Sequence, residues 1–178
     1  MPHSDEALRP WILTQLQQVT DLASARAVVD VGAGAGTWLD FLRPHMPAAR
    51  FTAIEIWEPY LAAYALRDRY DEVILGDART LDPLPGADLY VFGDVLEHMP
   101  AADAVALWDR ARRVAGWLVI NLPVRRYDQG ALFGNPHEEH VHHWDVASVL
   151  DRFAGIISSN EGAPPSVVGA FIAKGCVN

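Results

Sequence analysis

Val28-Val29-Asp30-Val31-Gly32-Ala33-Gly34-Ala35-Gly36-Thr37 decides how the rest of the chain reads. Ala27–Val31 is a short apolar run rich in β-branched residues, the composition of a buried strand. It opens onto glycines at alternate positions. Gly32 and Gly34 allow a tight turn and let a ligand approach where a Cβ would intrude. Thr37–Leu42 then has helical spacing up to a stop near Pro44. Strand, glycine turn and helix in that order leave free N–H groups of a helix start facing the turn, where polar ligand atoms can meet them.

Outward from this stretch the same alternation repeats. Strands are predicted over 51–56, Glu72–Leu75, 87–92 and 117–122, and helices over 59–69, 101–114 and from the Asp145 cap to Phe153. Two final strands, 155–159 and 167–173, are joined through Gly162-Ala163-Pro164-Pro165, a connection too short for a crossover helix and suited to an antiparallel hairpin. Strands alternating with helices imply a parallel sheet covered on both faces. The expected fold is therefore α/β, a doubly wound Rossmann-like sheet of seven strands, mostly parallel, with an antiparallel last strand. It is read as one domain over 1–178, with a helical lead-in over 1–25 and a polar loop over 123–143. Ligands of such sheets collect at the carboxyl edge of the strands.

Bulk composition narrows the partners. A chain of 178 residues with 51% hydrophobic and 21% charged residues fits one globular core. A net charge of −9 argues against broad electrostatic binding to nucleic acid or anionic lipid. No apolar run approaches the roughly 20 residues of a membrane span. One cysteine, Cys176, provides neither a disulfide nor a thiolate metal site within the chain. Met1-Pro2-His3-Ser4-Asp5-Glu6 lacks the basic and apolar regions of a signal peptide, so a cytoplasmic location is expected.

The ligand class follows from what flanks the glycines. The spacing is Gly-x-Gly-x-Gly, and Thr37 stands where a dinucleotide fingerprint has its third glycine. Asp30 sits just before the turn, where a carboxylate repels a pyrophosphate but suits the ammonium of an amino acid. S-Adenosylmethionine carries that ammonium and no phosphate; a nicotinamide dinucleotide fits less well. Glu55, 23 positions beyond Gly32, ends the second strand where such folds place a carboxylate for the ribose hydroxyls. Ile56 is placed to cover an adenine face, and Asp77 in Gly76-Asp77-Ala78 to accept from the adenine amino group. Trp57 is read as packing.

Asp30-Val31-Gly32-Ala33-Gly34-Ala35-Gly36, Glu55, Gly76-Asp77-Ala78 and Asp94-Val95-Leu96-Glu97-His98 resemble, in order and spacing, the successive motifs of class I S-adenosylmethionine-dependent methyltransferases. The resemblance spans roughly residues 20–175. It implies that Asp30, Gly32, Gly34 and Gly36 hold the methionine part, Glu55 the ribose, and Ile56 and Asp77 the adenine. It further implies that Asp94 meets the methionine end and that His98 stands near a small-molecule acceptor.

Four of the seven histidines lie in His137-Glu138-Glu139-His140-Val141-His142-His143. Neutral imidazole is suited to taking a proton near neutral pH. His98, His137, His140 and His142 are therefore the candidate bases for an acceptor hydroxyl, on a substrate-facing loop. A divalent metal site, a hydrogen-bonded staple and a solvated loop are the competing readings of the same string. Arg125 and Arg126 are placed either to pair an anionic acceptor or to lie in solvent, and Arg110, Arg112 and Arg113 on an exposed helix face. A hydroxyl, amine or sugar acceptor is expected, in a cleft left open or completed by a second copy of the chain. The alternative is a module that binds S-adenosylmethionine without catalysis.

Overall fold

In the computed structural model, which describes residues 5–177, β1 (Ala27–Val31) pairs in parallel with β2 (Arg50–Glu55) on one side and β4 (Ala87–Gly93) on the other. Outside these lie β3 (Glu72–Leu75) beyond β2, and β5 (Ala115–Pro123) beyond β4, all parallel. The final pair is β6 (Ile156–Glu161) and β7 (Val168–Lys174), and the sheet order is β3-β2-β1-β4-β5-β7-β6. Strand β7 inserts between β5 and β6 and runs against both. It is the one strand opposed to the rest, as the short Gly162–Pro165 connection predicts.

Side-chain alternation divides the core in two. Val28, with Phe51 and Ala53 of β2 and Leu89 and Val91 of β4, faces a cluster built on α1 (Arg9–Val19), α2 (Thr37–Leu42), α3 (Glu58–Ala63) and α4 (Leu66–Arg69). Val29 and Val31 face the other cluster, supplied by α5 (Ala101–Arg112) and α6 (Val146–Arg152). Residues 123–143 run over the carboxyl edge, with one short 3₁₀ turn at Pro136–Glu138. The chain goes outward from β1 to β3 and then returns to β4, which opens a crevice between the β1 and β4 ends.

Two differences from the sequence reading bear on the site. The helix expected over 59–69 is two pieces, because Ala65 adopts a left-handed conformation with φ 50°. The break lets Arg69 turn back toward the glycine turn, where it donates to the carbonyls of Ala35 (2.8 Å) and Gly36 (3.2 Å) and to Asp40 (2.8 Å). Arg110, expected on an exposed face, is part-buried and donates to the carbonyls of Arg79 (2.7 Å) and Leu81, tying α5 to the segment after β3. Aligned α5 spacing could not reveal this, since the acceptors are backbone atoms 29 and 31 positions away.

Candidate active site

The glycine turn is built as its sequence requires. Gly32, Gly34 and Gly36 have φ of 69°, 52° and 73°, a region that L side chains rarely adopt. At Gly32 space is also short: a Cβ would stand 2.7 Å from Cγ2 of Val95. The Gly34 N–H donates to Oε2 of Glu55 at 2.9 Å, and the Trp57 N–H to Oε1 at 2.8 Å. Glu55 is thus buried at the end of β2 with each oxygen held by one backbone donor, leaving a further lone pair on each. Burial pushes its pKa up, against the pull of those two N–H groups.

One cavity at the carboxyl edge is lined by Gly32, Gly34, Glu55, Ile56, Asp77, Asp94, His98 and His137. These are eight of the twelve residues singled out from the sequence. Asp77 is clasped by Arg79 at 2.7 and 3.0 Å, and that hydrogen bonding holds its carboxyl below the usual range. Asp94 has φ 51°, a left-handed conformation that Asp tolerates better than most residues. It is fixed by an N–H bond to the Asn121 carbonyl at 2.7 Å.

The other four lie elsewhere. Asp30 is 2% exposed and points to the α1–α4 side of β1, where the Tyr70 hydroxyl donates to it at 2.5 Å. It does not line the cavity, and burial pushes its pKa up to about 7. The period-2 alternation of β1 accounts for this, since Val31 and Asp30 face opposite sides. Gly36 begins α2 beneath the Arg69 guanidinium, also outside the cavity wall. His142 packs edge-on against Trp144, with ring centroids 4.5 Å apart, and His140 lines a second compartment.

Sequence reasoning missed several contributors. Tyr60, Asn135 and Glu138 line the cavity, and the Tyr60 hydroxyl donates to Oε1 of the buried Glu138 at 2.8 Å. That bond staples α3 to the 123–143 loop. Asn135 accepts from the His137 N–H at 2.9 Å, which caps the short 3₁₀ turn; Asn before Pro was the available signal. Trp57 packs against the core, as read, and touches His137 edge-on at 6.0 Å.

The second compartment shares Asp94 and His98 with the first and adds Glu97, Tyr127, Gln129 and His140. Glu97 and His98 are in a 3₁₀ turn, Leu96–His98, and α5 starts only after Pro100. Nδ1 of His98 lies 3.0 Å from the Glu139 carbonyl, and Nδ1 of His140 lies 2.6 Å from that of Tyr127. A carbonyl only accepts, so each Nδ1 carries a proton and each neutral ring is left with a lone pair on Nε2. Burial lowers the His98 pKa to about 4 and that of His140 below its usual value. Among the described residues, the second compartment is lined by no lysine or arginine. Arg125 is taken up by the last hairpin, bonding the Gly162 and Ser166 carbonyls and Glu161, while exposed Arg126 pairs with Asp128.

A reversal of strand order between β1 and β4, a glycine turn entering a helix, and carboxylates at the ends of successive strands lining one cavity define a class I S-adenosylmethionine-type α/β domain. Residues 28–116, half of the chain, match the family model described as a methyltransferase domain, and the chain belongs to that family. It is 32% identical over 102 residues to the trans-aconitate 2-methyltransferase of Mycobacterium ulcerans, covering 56% of this chain and 37% of that protein. The chain therefore spans well under half the length of the curated relatives it matches. Among solved structures, it resembles the 1,6-didemethyltoxoflavin-N1-methyltransferase of Burkholderia thailandensis, with bound 1,6-didemethyltoxoflavin and S-adenosylhomocysteine. The TM-score is 0.69 at 19% identity, over 95% of this chain and 78% of that one. The N-methyltransferase NodS of Bradyrhizobium japonicum WM9 gives a TM-score of 0.65 at 16% identity, over 96% and 98%. At these identities the likeness concerns the fold. Among the described residues no helix is long and apolar enough to cross a membrane.

Proposed function

We propose that this chain transfers a methyl group from S-adenosylmethionine to a small-molecule acceptor seated in the compartment beyond Asp94 and His98. The observation that carries the reading is that two compartments meet at those two residues. One is suited to a nucleoside and the other remains for an acceptor. When bound, S-adenosylmethionine supplies an electrophilic methyl group on its sulfonium.

The residues present fit that group. Glu55 keeps acceptor capacity for the two ribose hydroxyls, and Ile54, Ile56 and Met99 give the same cavity an apolar wall for adenine. Asp77, held ionised by Arg79, is a hydrogen-bond acceptor at its rim. Asp94 lines both compartments and so stands between the nucleoside and the acceptor. Methyl transfer is an in-line displacement, so alignment of the acceptor supplies much of the rate. His98 is the histidine common to both compartments, and its Nε2, the nitrogen not engaged by Glu139, is the ring atom left to serve the acceptor, directly or through a bound ion. His137 belongs to the nucleoside side and His142 to neither.

The charge of the second compartment bears on the acceptor. Asp5, Glu6, Asp94 and Glu97 line it with no arginine or lysine among the described residues, a setting that favours a neutral or cationic acceptor. A hydroxyl or amine compound fits better there than the bare polyanion of the trans-aconitate enzymes. Calorimetry with S-adenosylhomocysteine tests the first compartment. Incubation with methyl-labelled S-adenosylmethionine and a panel of hydroxyl, amine and carboxylate acceptors tests the second. Absence of S-adenosylhomocysteine binding by the folded protein overturns the reading. Labelling of carboxylates alone overturns the acceptor class.

A further inference from the structure

Glu97 is 1% exposed, and among the described residues neither of its carboxylate oxygens has a hydrogen-bond partner. A buried carboxyl group with both oxygens orphaned is costly, and native proteins rarely leave one so. Its surroundings explain what is missing. One ligating atom from each of Glu97, His98 and His140 lies within 4.8 Å of the others. The two rings approach edge-on with centroids 4.9 Å apart. Each imidazole gives its Nδ1–H to a backbone carbonyl, Glu139 for His98 and Tyr127 for His140. That outer bond is the one that orients metal-ligating histidines and leaves Nε2 as the ligand.

The backbone holds the three together. The Glu97 carbonyl accepts from the N–H groups of both Val141 (2.9 Å) and His142 (3.0 Å). Segment 139–142 is thereby fastened along residues 97–98, although the two are some forty positions apart in sequence.

We propose that Glu97, His98 and His140 form a binding site for a divalent first-row transition-metal ion. Two imidazoles and one carboxylate are a borderline donor set suited to zinc, cobalt, iron or manganese. Metal–ligand bonds of about 2.0–2.2 Å require the three atoms to close to about 3.3 Å from one another, a shift within the range of side-chain torsions. Three protein ligands leave at least one coordination position, and the compartment lined by all three residues is where it opens. The ion offsets the charge of Glu97 and Asp94 and offers an oxygen-bearing acceptor a Lewis-acidic contact beside the methyl donor. Only this last role rests on the methyltransferase reading; the site itself stands on geometry.

Cobalt(II), added to chelator-stripped protein and followed by its visible d–d absorption, tests the site independently of activity. The expected result is a saturable one-to-one complex whose bands report nitrogen and oxygen ligation. Glu97→Gln and His140→Ala should each weaken it by roughly 100-fold or more. His143→Ala, which removes a ring bonded to Asp128 at 3.0 Å outside the trio, should leave it unchanged. S-Adenosylhomocysteine binding is measured on the same samples. A protein that binds S-adenosylhomocysteine but shows no cobalt spectrum, or whose spectrum survives both substitutions, overturns the metal site and leaves the methyltransferase reading intact. A cobalt complex without nucleoside binding does the reverse.

Discussion

The two compartments that meet at Asp94 and His98 are built by different means. On the nucleoside side nearly every polar group has found a partner: Glu55 has two N–H groups, Asp77 has Arg79, and Glu138 has Tyr60. On the acceptor side, among the described residues, Glu97 has none, and His98 and His140 each keep a nitrogen uncommitted. A preorganised surface binds one ligand geometry with little reorganisation, which suits a cofactor that is always the same. Orphaned groups store unfavourable free energy that a bound ion or acceptor releases, which suits a site completed only when occupied.

The strongest way to break this division is at His98, one of its two shared residues. His98→Ala should lower turnover by roughly 10²–10⁴-fold while the affinity for S-adenosylhomocysteine changes little, and His142→Ala should leave turnover within about twofold. Steady-state rates alongside calorimetry check both. A parallel loss of nucleoside affinity in His98→Ala would erase the boundary between the compartments.

Asp30 tests what lies under the nucleoside side. Its folded pKa is raised from the ordinary 3.8 to about 7, mainly by burial. Between those values the folded protein holds a proton that the unfolded chain has lost. The stability from protonated Asp30 is therefore complete below about pH 4 and is lost as the pH rises through 7. Asp30→Asn stays neutral, so it should match the wild type near pH 4. Above pH 7 it should exceed it by on the order of 4 kcal/mol. Urea unfolding at the two pH values decides; equal gains at both would mean that ionisation of Asp30 is not the cause.

Two smaller effects sharpen the contrast. Glu55→Ala should weaken S-adenosylhomocysteine by about 1.5–3 kcal/mol, the scale of hydrogen bonds to a charged group, with the cobalt complex of the other compartment unaffected. Tyr60→Phe removes the donor to buried Glu138 and should cost about 1 kcal/mol. Amide exchange over residues 135–138 should then quicken by about fivefold, while exchange in β1 is unchanged.

Legibility from sequence follows the same line. The glycine turn, Glu55 and Asp77 are legible in their placement because each lies in a few contiguous residues at a strand end, and strand order brings those ends to one cavity. Asp30 was read from its place beside the turn, yet strand alternation turns it to the other face, toward Tyr70. Glu97 stands in the Asp94–His98 motif with no role that sequence assigns, because its burial depends on a loop more than forty residues later. Tyr60 and Glu138, 78 positions apart, likewise become partners only in three dimensions. Local pattern carries strands and turns; pairings across the crevice belong to tertiary packing.

The placement of β7 between β5 and β6 has a consequence for biosynthesis. Ribosomes deliver the chain from its amino end, so β1 through β5 are available to zip together before residues 168–174 exist. During that interval β5, with Leu118, Val119 and Ile120 wholly buried in the finished protein, has a naked outer edge, and β6 has no partner to join. An unpaired apolar edge is a template for other chains. The nascent protein is thus most prone to aggregate between the synthesis of β5 and that of β7, and shielding by a chaperone matters most just before β7 slides into its slot.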